Sequence, residues 1–392
     1  MRRSAILASL ALLLASSFAP AAASSPAALG PSAPAQIDVS APSAVLVEAS
    51  TGQTIFSKNA QEERPPASMT KLMTLHLALN AVAVHRARMT DPVSVSENAY
   101  RLGGSQIWLE PGETIAFGQL LRAIAIGSAN DACMAIAEHL AGSEGAFVAQ
   151  MNAEAKRLGM TRTHYANSHG LDQEGHYTTA ADMAKLGRAV VNDPGLLALT
   201  SQREDRTIRD GKGGHLWLIN HNRLLGKVPG IDGLKTGFTS RAGYCLTATA
   251  ERQGLRLIAV VMGDATSKQR FADTSALLQS GFSNYEAVLL AKSGQSLGTV
   301  KVLRGTQVSV PVVVARDVRA VHPRGEKLKV KLQPKLPTEL RAPVRRGQAV
   351  GEAQIVAGGK QIAAVPLVAN ECVHRATWVG LFTGLLRSVV RF

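Results

Sequence analysis

A serine and a lysine three residues apart form the first pattern in the chain that could do chemistry. Ser68 and Lys71 follow Pro65 and Pro66, as expected at the start of a helix. Residues three apart lie on one helical face, so the Lys71 amine can reach the Ser68 hydroxyl. A serine becomes a strong nucleophile once a base takes its proton, and a lysine becomes such a base when burial or a second cation lowers its pKa. The pair therefore predicts nucleophilic catalysis.

A second motif, Ser-x-Asn, occupies residues 128–130, inside a run from Gln119 to Ala141 whose pattern predicts a continuous helix. We expect Ser128 to relay a proton to the leaving amine of the substrate. Asn130 has two open roles, because its side chain could hold either a substrate amide or Lys71. Cys133, one helical turn further on, is predicted to lie in the core near the site rather than to take part in catalysis.

A third motif, Lys-Thr-Gly, occupies residues 235–237, just before two β-rich runs. We expect Lys235 to be the second cation that keeps Lys71 neutral. The backbone N–H groups of Ser68 and Phe238 are the predicted donors to a developing oxyanion. An extended peptide could pair with the backbone of this strand if the strand lies at a sheet edge.

The elements around the motifs predict an α/β domain over residues 37–290, with helices packed on an antiparallel sheet. This prediction rests on the order of the elements, which is terminal strands, then helices, then a final hairpin. The expected strands cover residues 43–48, 54–57, 243–251 and 255–262, and the expected helices cover residues 68–83, 119–141, 146–158, 179–191 and 267–285.

The C-terminal part of the chain has a different residue pattern. Residues 291–374 alternate β-branched and polar side chains between Pro and Gly, which predicts a small all-β domain. Residues 375–392 repeat apolar side chains at helical spacing, with arginines elsewhere around the helix. This segment is too short to span a bilayer and is predicted to be an amphipathic helix that anchors the protein on a membrane surface. Docking of that helix on the β domain is the alternative.

The N-terminal residues predict export. Residues 1–23 combine Arg2 and Arg3, an apolar stretch and the small-residue run Ala21 to Ala23, as in a secretory signal peptide, and residues 24–36 read as a flexible leader. An uncleaved membrane anchor is the alternative. The three cysteines are too few and too scattered for a disulfide framework or a zinc site. A large core is therefore expected to hold the fold together.

The net charge of +14 is concentrated at the C-terminal end, because residues 291–392 carry 17 Lys and Arg against 5 Asp and Glu. A basic region on an exported protein favours an anionic membrane surface or cell-wall polymer, and export argues against nucleic acid. The ten histidines form no compact ligand pattern, so neither a metal nor another cofactor is expected.

Together, the three motifs resemble those of the low-molecular-mass penicillin-binding proteins of the D-alanyl-D-alanine carboxypeptidase type. Residues 66–71, 127–131, 232–237, 167–172 and 176–183 carry the resemblance, which extends over nearly the whole mature chain. It implies a penicillin-binding, transpeptidase-like fold followed by a β domain that lifts it off the membrane. It also implies an acyl-enzyme on Ser68, Lys71 as its base, completion of the triad by Ser128 and Asn130, and Lys235 as an electrostatic clamp.

The same resemblance implies a periplasmic enzyme on the inner membrane that removes the terminal D-alanine from peptidoglycan pentapeptides and is inhibited by β-lactams. Such an enzyme must recognise a carboxylate, for which charged donors are best suited. The candidates are His221 and Arg223, with Thr236 and Thr239 of the strand. With Gly237, these side chains border the expected substrate site. We expect His169 to belong to a structural loop near it.

Three other functions share part of this motif pattern. A class A β-lactamase needs a glutamate that activates water, and the expected pattern is missing from residues 167–182. A D,D-endopeptidase, which cuts cross-links, is the nearer rival, although such relatives tend to lack the extra β domain and tail. A wall-binding protein with an inactive site is disfavoured by the intact motifs.

Overall fold

The computed structural model describes residues 37–208, 214–326 and 330–377. In chain order its strands are β1 (Ser43–Glu48), β2 (Thr54–Lys58), β3 (Pro92–Ser94), β4 (Thr114–Ala116), β5 (Glu204–Asp205), β6 (Leu218–Ile219), β7 (Ile231–Thr239), β8 (Gly243–Arg252), β9 (Leu255–Asp264), β10 (Tyr285–Ala291), β11 (Ser296–Leu303), β12 (Ser309–Val314), β13 (Val318–Pro323), β14 (Val330–Lys335), β15 (Glu339–Arg341), β16 (Ala349–Ala357) and β17 (Lys360–Ala369). Its α-helices are α1 (Lys71–Ala83), α2 (Glu97–Tyr100), α3 (Phe117–Arg122), α4 (Asn130–Ala141), α5 (Glu144–Arg157), α6 (Ala180–Val190), α7 (Pro194–Thr200) and α8 (Ser267–Asn284).

An antiparallel sheet in the order β2-β1-β9-β8-β7 forms the centre of the first domain. Successive side chains of a strand point to opposite sides of the sheet, and on the inner strands the side chains of both faces are buried. On β9, Ile258 and Val260 belong to the core cluster that contains α1 and α4, whereas Leu257 and Ala259 pack in the cluster that contains α8. The sheet is therefore covered by helices on both faces, which confirms the predicted α/β class. Strand β7, which carries the Lys-Thr-Gly motif, lies at one edge.

Helix α1 passes through the middle of the larger core. Leu72, Met73, Leu75 and Ala78 are all fully buried, so apolar side chains surround almost the whole helix. A helix that is apolar all round is one that other elements enclose. Since Lys71 is the first residue of this helix, its side chain is buried with it.

The structure corrects two of the predicted helices. Ser68 lies in a 3₁₀ turn (Ala67–Thr70), and the α-helix begins only at Lys71. The single helix expected from Gln119 to Ala141 is broken into α3, a π-helical turn (Ala123–Gly127) and α4. The break falls at Ser128, whose φ of 62° places it in the left-handed region. The motif thus lies in a turn between helices.

The C-terminal part is all-β, as expected. Six strands pair in the order β14-β16-β17-β12-β11-β15, and β10 pairs separately with β13. Strand β13 also contributes Val321 to the cluster beneath α8, and Arg316 donates a hydrogen bond to the Ser50 carbonyl at 3.2 Å. Within the described residues no helix is long and apolar enough to cross a membrane. The predicted signal peptide, leader and nearly all of the predicted anchor helix lie outside the described residues.

Two buried carboxyl groups join the N-terminal segment to the end of the sheet. Asp273 accepts hydrogen bonds from the Ser40 hydroxyl (2.9 Å) and the Ala41 N–H (2.7 Å), and Asp264 lies beside it. Burial and the neighbouring charge of Asp273 raise the pKa of Asp264 to about 7, from an ordinary value of 3.8. The folded state therefore holds this proton more tightly than the unfolded chain, and its stability falls as the pH rises from about 4 to about 7.

Replacing Asp264 with asparagine should remove this pH dependence. At pH 5 the wild-type carboxyl is protonated, so Asp264→Asn and wild type should unfold at nearly the same temperature. At pH 8 the wild type carries two adjacent negative charges, and the variant should melt about 3 °C higher. Thermal unfolding of the wild type and of Asp264→Asn at pH 5 and at pH 8 measures this difference in melting temperature. An equal difference in melting temperature at pH 5 and pH 8 would contradict the raised pKa of Asp264.

Candidate active site

The three motifs meet in one cleft of about 660 Å³ between the Ser68 turn, the Ser128 turn and β7. The predicted site residues among its lining are Ser68, Ser128, His221, Thr236, Gly237 and Phe238. The exposed rings of Trp108, Trp217 and Phe238 form its rim. Three more predicted residues are buried next to this lining: Lys71, Asn130 and Lys235. Residues far apart in the sequence are thus brought together as the motif pattern required.

Lys71 makes three hydrogen bonds that fix its amine. Its Nζ donates to Ser68 Oγ at 2.9 Å, to Asn130 Oδ1 at 2.7 Å and to the His169 carbonyl oxygen at 2.5 Å. These contacts use all three donors of an ammonium group. A neutral amine in the same position would have a lone pair that could accept the proton of Ser68. In the structure the Asn130 side chain contacts Lys71, which is one of the two roles predicted for it, and its role toward a substrate amide stays a prediction.

The electrostatic setting of the two lysines favours loss of a proton. Burial lowers the pKa of Lys71 to about 8, despite the opposing influence of Cys133 and Asp131. Burial, and then the charge of Lys71, hold the pKa of Lys235 well below its ordinary value. Of the two causes expected from the sequence, burial and a second cation, burial is the one that lowers the pKa of Lys71 most. At neutral pH part of the Lys71 population is already an amine.

Asn130 and Asp131 attach the loop that forms one wall of the cleft. Asn130 Nδ2 donates to the Gly103 carbonyl at 2.6 Å, and its N–H donates to the Ser105 carbonyl at 2.7 Å. The Asp131 carboxylate accepts from the Ile107 N–H at 3.0 Å. The loop around Gly103–Ser105 therefore borders the cleft. Its position is coupled directly to the Ser-x-Asn motif.

The left-handed turn at Ser128 aims this motif into the cleft. A non-glycine residue in that conformation is uncommon and is often found at functional sites. The Ser128 N–H donates to the Ala123 carbonyl, which closes the π-helical turn. Ser128 is 2% exposed, and its side chain lines the same cleft as Ser68. The turn therefore replaces the helical geometry that the sequence predicted.

Two glycines allow the Ser68 turn to pack closely against its neighbours. A Cβ on Gly237 would lie 2.9 Å from the Pro66 carbonyl oxygen and 3.2 Å from the Ser68 nitrogen. A Cβ on Gly170 would lie 2.0 Å from the Ala67 carbonyl oxygen, and its φ of 92° is also in the region that favours glycine. The backbone of β7 thus approaches Ser68 as an oxyanion site built from the Ser68 and Phe238 N–H groups requires.

Arg270 is a cleft residue that the sequence analysis missed. It lies in the first turns of α8, is 6% exposed, and donates to the Gly237 carbonyl at 3.2 Å and to Ser267 Oγ at 3.2 Å. Its buried Nε has no hydrogen-bond partner among the described residues. Burial lowers the pKa of Arg270 to about 10, so it stays charged at neutral pH. A cation near a helix N-terminus interacts unfavourably with the helix dipole. This unfavourable position is the one sequence feature that could have pointed to a functional role for Arg270.

The predicted carboxylate-binding residues differ in their position relative to the cleft and in their charge. His221, Arg223 and Thr236 line the cleft. Desolvation in the cleft and the charges of Lys235 and Arg270 lower the pKa of His221 to about 4, so this ring is neutral at pH 7 and does not supply a charge. Thr239 is not part of the cleft lining, because its hydroxyl donates to Asp172 Oδ1 at 2.8 Å and accepts from the Ala242 N–H. Its hydroxyl is engaged within the protein, and its place in the substrate site stays a prediction.

The loop that carries His169 is structural, as expected, but its backbone touches the site. The His169 carbonyl accepts from Lys71, and its ring is held between the Leu171 N–H and Glu144. Burial lowers the pKa of His169 to about 3, so the ring is neutral. Burial likewise raises the pKa of the Cys133 thiol to about 12, which leaves it protonated and unsuited to nucleophilic attack.

Comparison with known proteins covers both parts of the chain. Residues 29–266 match the D-alanyl-D-alanine carboxypeptidase family, and residues 285–375 match the C-terminal domain of penicillin-binding protein 5. D-alanyl-D-alanine carboxypeptidase DacF of Bacillus subtilis is 39% identical over 343 residues, which cover 87% of each chain. D-alanyl-D-alanine carboxypeptidase DacC of Escherichia coli is 34% identical over 342 residues, or 84% of each chain.

Solved structures show the same similarity. Penicillin-binding protein 5 from Haemophilus influenzae superposes with a TM-score of 0.69 at 31% identity, over 86% of this chain and 98% of that one. Penicillin-binding protein D2 from Listeria monocytogenes, solved in an ampicillin-bound form, gives a TM-score of 0.57 at 34% identity, over 62% of this chain and 98% of that one.

Proposed function

Because the chain belongs to the D-alanyl-D-alanine carboxypeptidase family, we propose that Ser68 is the nucleophile with which it removes the terminal D-alanine from peptidoglycan stem peptides. The protein is a serine D-Ala-D-Ala carboxypeptidase of the penicillin-binding class, with the two-domain fold of that class. One observation carries the assignment of Ser68: a fully buried Lys71 amine lies 2.9 Å from its hydroxyl.

In the acylation step, neutral Lys71 takes the Ser68 proton as Ser68 Oγ attacks the carbonyl carbon of the penultimate D-alanine. The negative charge on the carbonyl oxygen is received by the N–H groups of Ser68 and Phe238. The C–N bond then breaks, and the leaving D-alanine amine takes a proton relayed through Ser128. Water hydrolyses the resulting ester, which restores the Ser68 hydroxyl and releases the shortened peptide acid.

We assign the terminal carboxylate of the substrate to Arg270, with Thr236 and the neutral His221 as neighbouring donors. Arg270 is charged, it borders the cleft beside Gly237, and its Nε has no hydrogen-bond partner within the described part of the chain. A buried guanidinium that keeps a free donor is suited to bind a carboxylate. Lys235, whose amine donates to the Thr236 carbonyl at 3.1 Å, contributes to the positive potential behind this position.

The proposed function is tested by product analysis. Purified protein incubated with a muropeptide ending in D-Ala-D-Ala should release free D-alanine and leave a peptide one residue shorter. A fluorescent penicillin should label the wild type covalently and should not label Ser68→Ala. Unchanged peptide after long incubation, or equal labelling of Ser68→Ala, would reject Ser68 as the nucleophile of a carboxypeptidase.

Location rests on the sequence alone. We propose that the enzyme acts in the periplasm, on the outer side of the inner membrane, to which its C-terminal segment attaches it. The signal-peptide pattern of residues 1–23 and the amphipathic spacing of residues 375–392 support this proposal. The basic balance of residues 291–392 would favour an anionic lipid surface.

A further inference from the structure

Five arginines gather at one end of the β domain. Three segments, residues 303–306, 341–346 and 372–376, meet there through backbone hydrogen bonds. The first pairs with the second where the Ala342 N–H donates to the Leu303 carbonyl at 3.0 Å, and the third forms antiparallel bridges with both. We refer to the arginines of these segments as the arginine cluster: Arg304, Arg341, Arg345, Arg346 and Arg375.

The positive charge of the arginine cluster is not neutralised within the described part of the chain. All five residues are exposed, and none of their guanidinium groups forms an ion pair or a hydrogen bond with another described residue. The three segments contain no acidic residue, and Glu339 and Glu371 are the nearest acidic residues in sequence. Five exposed charges of one sign produce a local positive potential, which favours an anionic partner.

An exposed apolar side chain lies at the same end of the domain. Val308 is 82% exposed, the largest exposed fraction among the large apolar side chains of the described residues. It belongs to the turn between β11 and β12, and the Thr306 N–H of that turn donates to the His374 carbonyl at 2.8 Å. Basic side chains beside an exposed apolar one are typical of a protein surface that binds to a membrane interface.

The arginine cluster surrounds the place where the chain continues from the β domain into the amphipathic segment. Arg375 forms an antiparallel bridge with Gly305, so the backbone is still part of the β domain at the first residue of that segment. Residues 378–392, which carry most of its apolar side chains, follow three residues later. Three residues of chain span at most about 11 Å. A membrane surface that binds the segment would therefore lie close to the arginines, at about one Debye length.

We propose that the arginine cluster is a docking site for anionic phospholipid headgroups, through which the β domain itself binds the membrane beside the amphipathic segment. The proposal rests on the membrane location proposed above and adds a second, folded contact to it. Guanidinium groups bind phosphate oxygens through paired hydrogen bonds, which suits them to such headgroups. An anionic cell-wall polymer offers similar charges, but the position of the arginine cluster beside the amphipathic segment favours lipid. Two contacts at different places on the chain would also fix the orientation of the β domain on the membrane.

The test measures binding of the full mature chain to vesicles of phosphatidylcholine, with or without about one third of phosphatidylglycerol. Each arginine near an anionic surface contributes about fivefold to affinity, so Arg345→Gln/Arg346→Gln should bind the anionic vesicles about 20-fold more weakly. Its affinity for the neutral vesicles should change less than twofold. The control Lys331→Gln/Lys335→Gln removes the same charge from exposed residues of β14, at the opposite edge of the sheet from β15. Six strands place these edges about 24 Å apart, beyond the Debye length, so the control should lose less than threefold.

Each outcome decides a different point. A loss confined to the arginine variant and to anionic vesicles would support the docking site. Equal affinity of that variant and the wild type, or an equal loss in the control, would overturn it. Weaker binding of the arginine variant to isolated cell-wall sacculi, with unchanged vesicle binding, would overturn it in favour of a wall polymer. A wild type that binds neither kind of vesicle would reject the membrane location as well, whereas D-alanine release from a soluble pentapeptide tests the catalytic proposal separately.

Discussion

Replacing Lys71 with methionine should lower kcat/KM for D-alanine release about 10³-fold, and the rate of penicillin acylation by a similar factor. Methionine fills the same buried space but cannot take the Ser68 proton, and general-base catalysis contributes about 10² to 10⁴ to such reactions. Both substrates should be affected equally, because both are attacked by the same hydroxyl. Stopped-flow labelling with a fluorescent penicillin and a D-alanine release assay provide the two rates.

The pH profile of the wild type separates a base from a merely structural lysine. With the pKa of Lys71 at about 8, the neutral amine is the minor form at pH 7, and kcat/KM should rise through pH 8 before levelling off. Lys71→Arg keeps the positive charge but cannot deprotonate in this range, so it should be as inactive as Lys71→Met. A Lys71→Arg enzyme that retains a tenth of the activity would contradict the role of a neutral base.

The chemistry of the site could be predicted from sequence because it is encoded in short motifs with local geometry. The spacing of Ser68 and Lys71 brings their side chains together even though a 3₁₀ turn, not an α-helix, connects them. The strands β8 and β9 were predictable for a similar reason, since both are continuous β-rich runs around a tight turn. The burial that shifts the Lys71 pKa could be expected in direction only.

The break at Ser128 could not be predicted, because no glycine or proline within the Ser-x-Asn motif marks it. Gly127 directly before the motif is the one local signal for a break, but a single glycine in an otherwise helical pattern is too weak to predict one. Tertiary contacts decide where the helix is interrupted. Asn130 and Asp131 bind the backbone of the loop at Gly103–Ser105 and Ile107, some 25 residues earlier in the chain. These long-range hydrogen bonds require α4 to begin at Asn130, and Ser128 takes the strained turn that this start imposes.

Arg270 escaped prediction for a related reason. In sequence it is one charged residue near the start of an amphipathic helix, and only the packing of α8 beneath the sheet brings it to Gly237. His221 and Arg223 are closer to the Lys-Thr-Gly motif in sequence, which favours them over Arg270 as predicted partners of a carboxylate. The fold brings all three into one cleft, and the lowered pKa of His221 then leaves the two arginines as the charged candidates.

Replacing Arg270 with glutamine should therefore lower kcat/KM for a peptide ending in D-Ala-D-Ala by about 50-fold. A hydrogen bond to a charged group is worth about 1.5–3 kcal/mol, and an Arg–carboxylate contact lies at the strong end of that range. The same peptide with a C-terminal amide has no carboxylate to lose, so wild type and Arg270→Gln should process the amide at similar low rates. Steady-state kinetics on the acid and the amide measure this discrimination directly.

The acid-to-amide ratio also distinguishes Arg270 from its neighbours and from a structural role. His221→Ala and Arg223→Ala should each keep most of the wild-type preference for the acid, and Arg270→Lys should restore part of it, because a charge returns to the cleft. Arg270 also donates to the Gly237 and Cys245 carbonyls, so its loss could loosen β7. Loosening of β7 would slow the reactions of the acid and of the amide by the same factor. That result would assign the binding of the substrate carboxylate to Arg223 instead of Arg270.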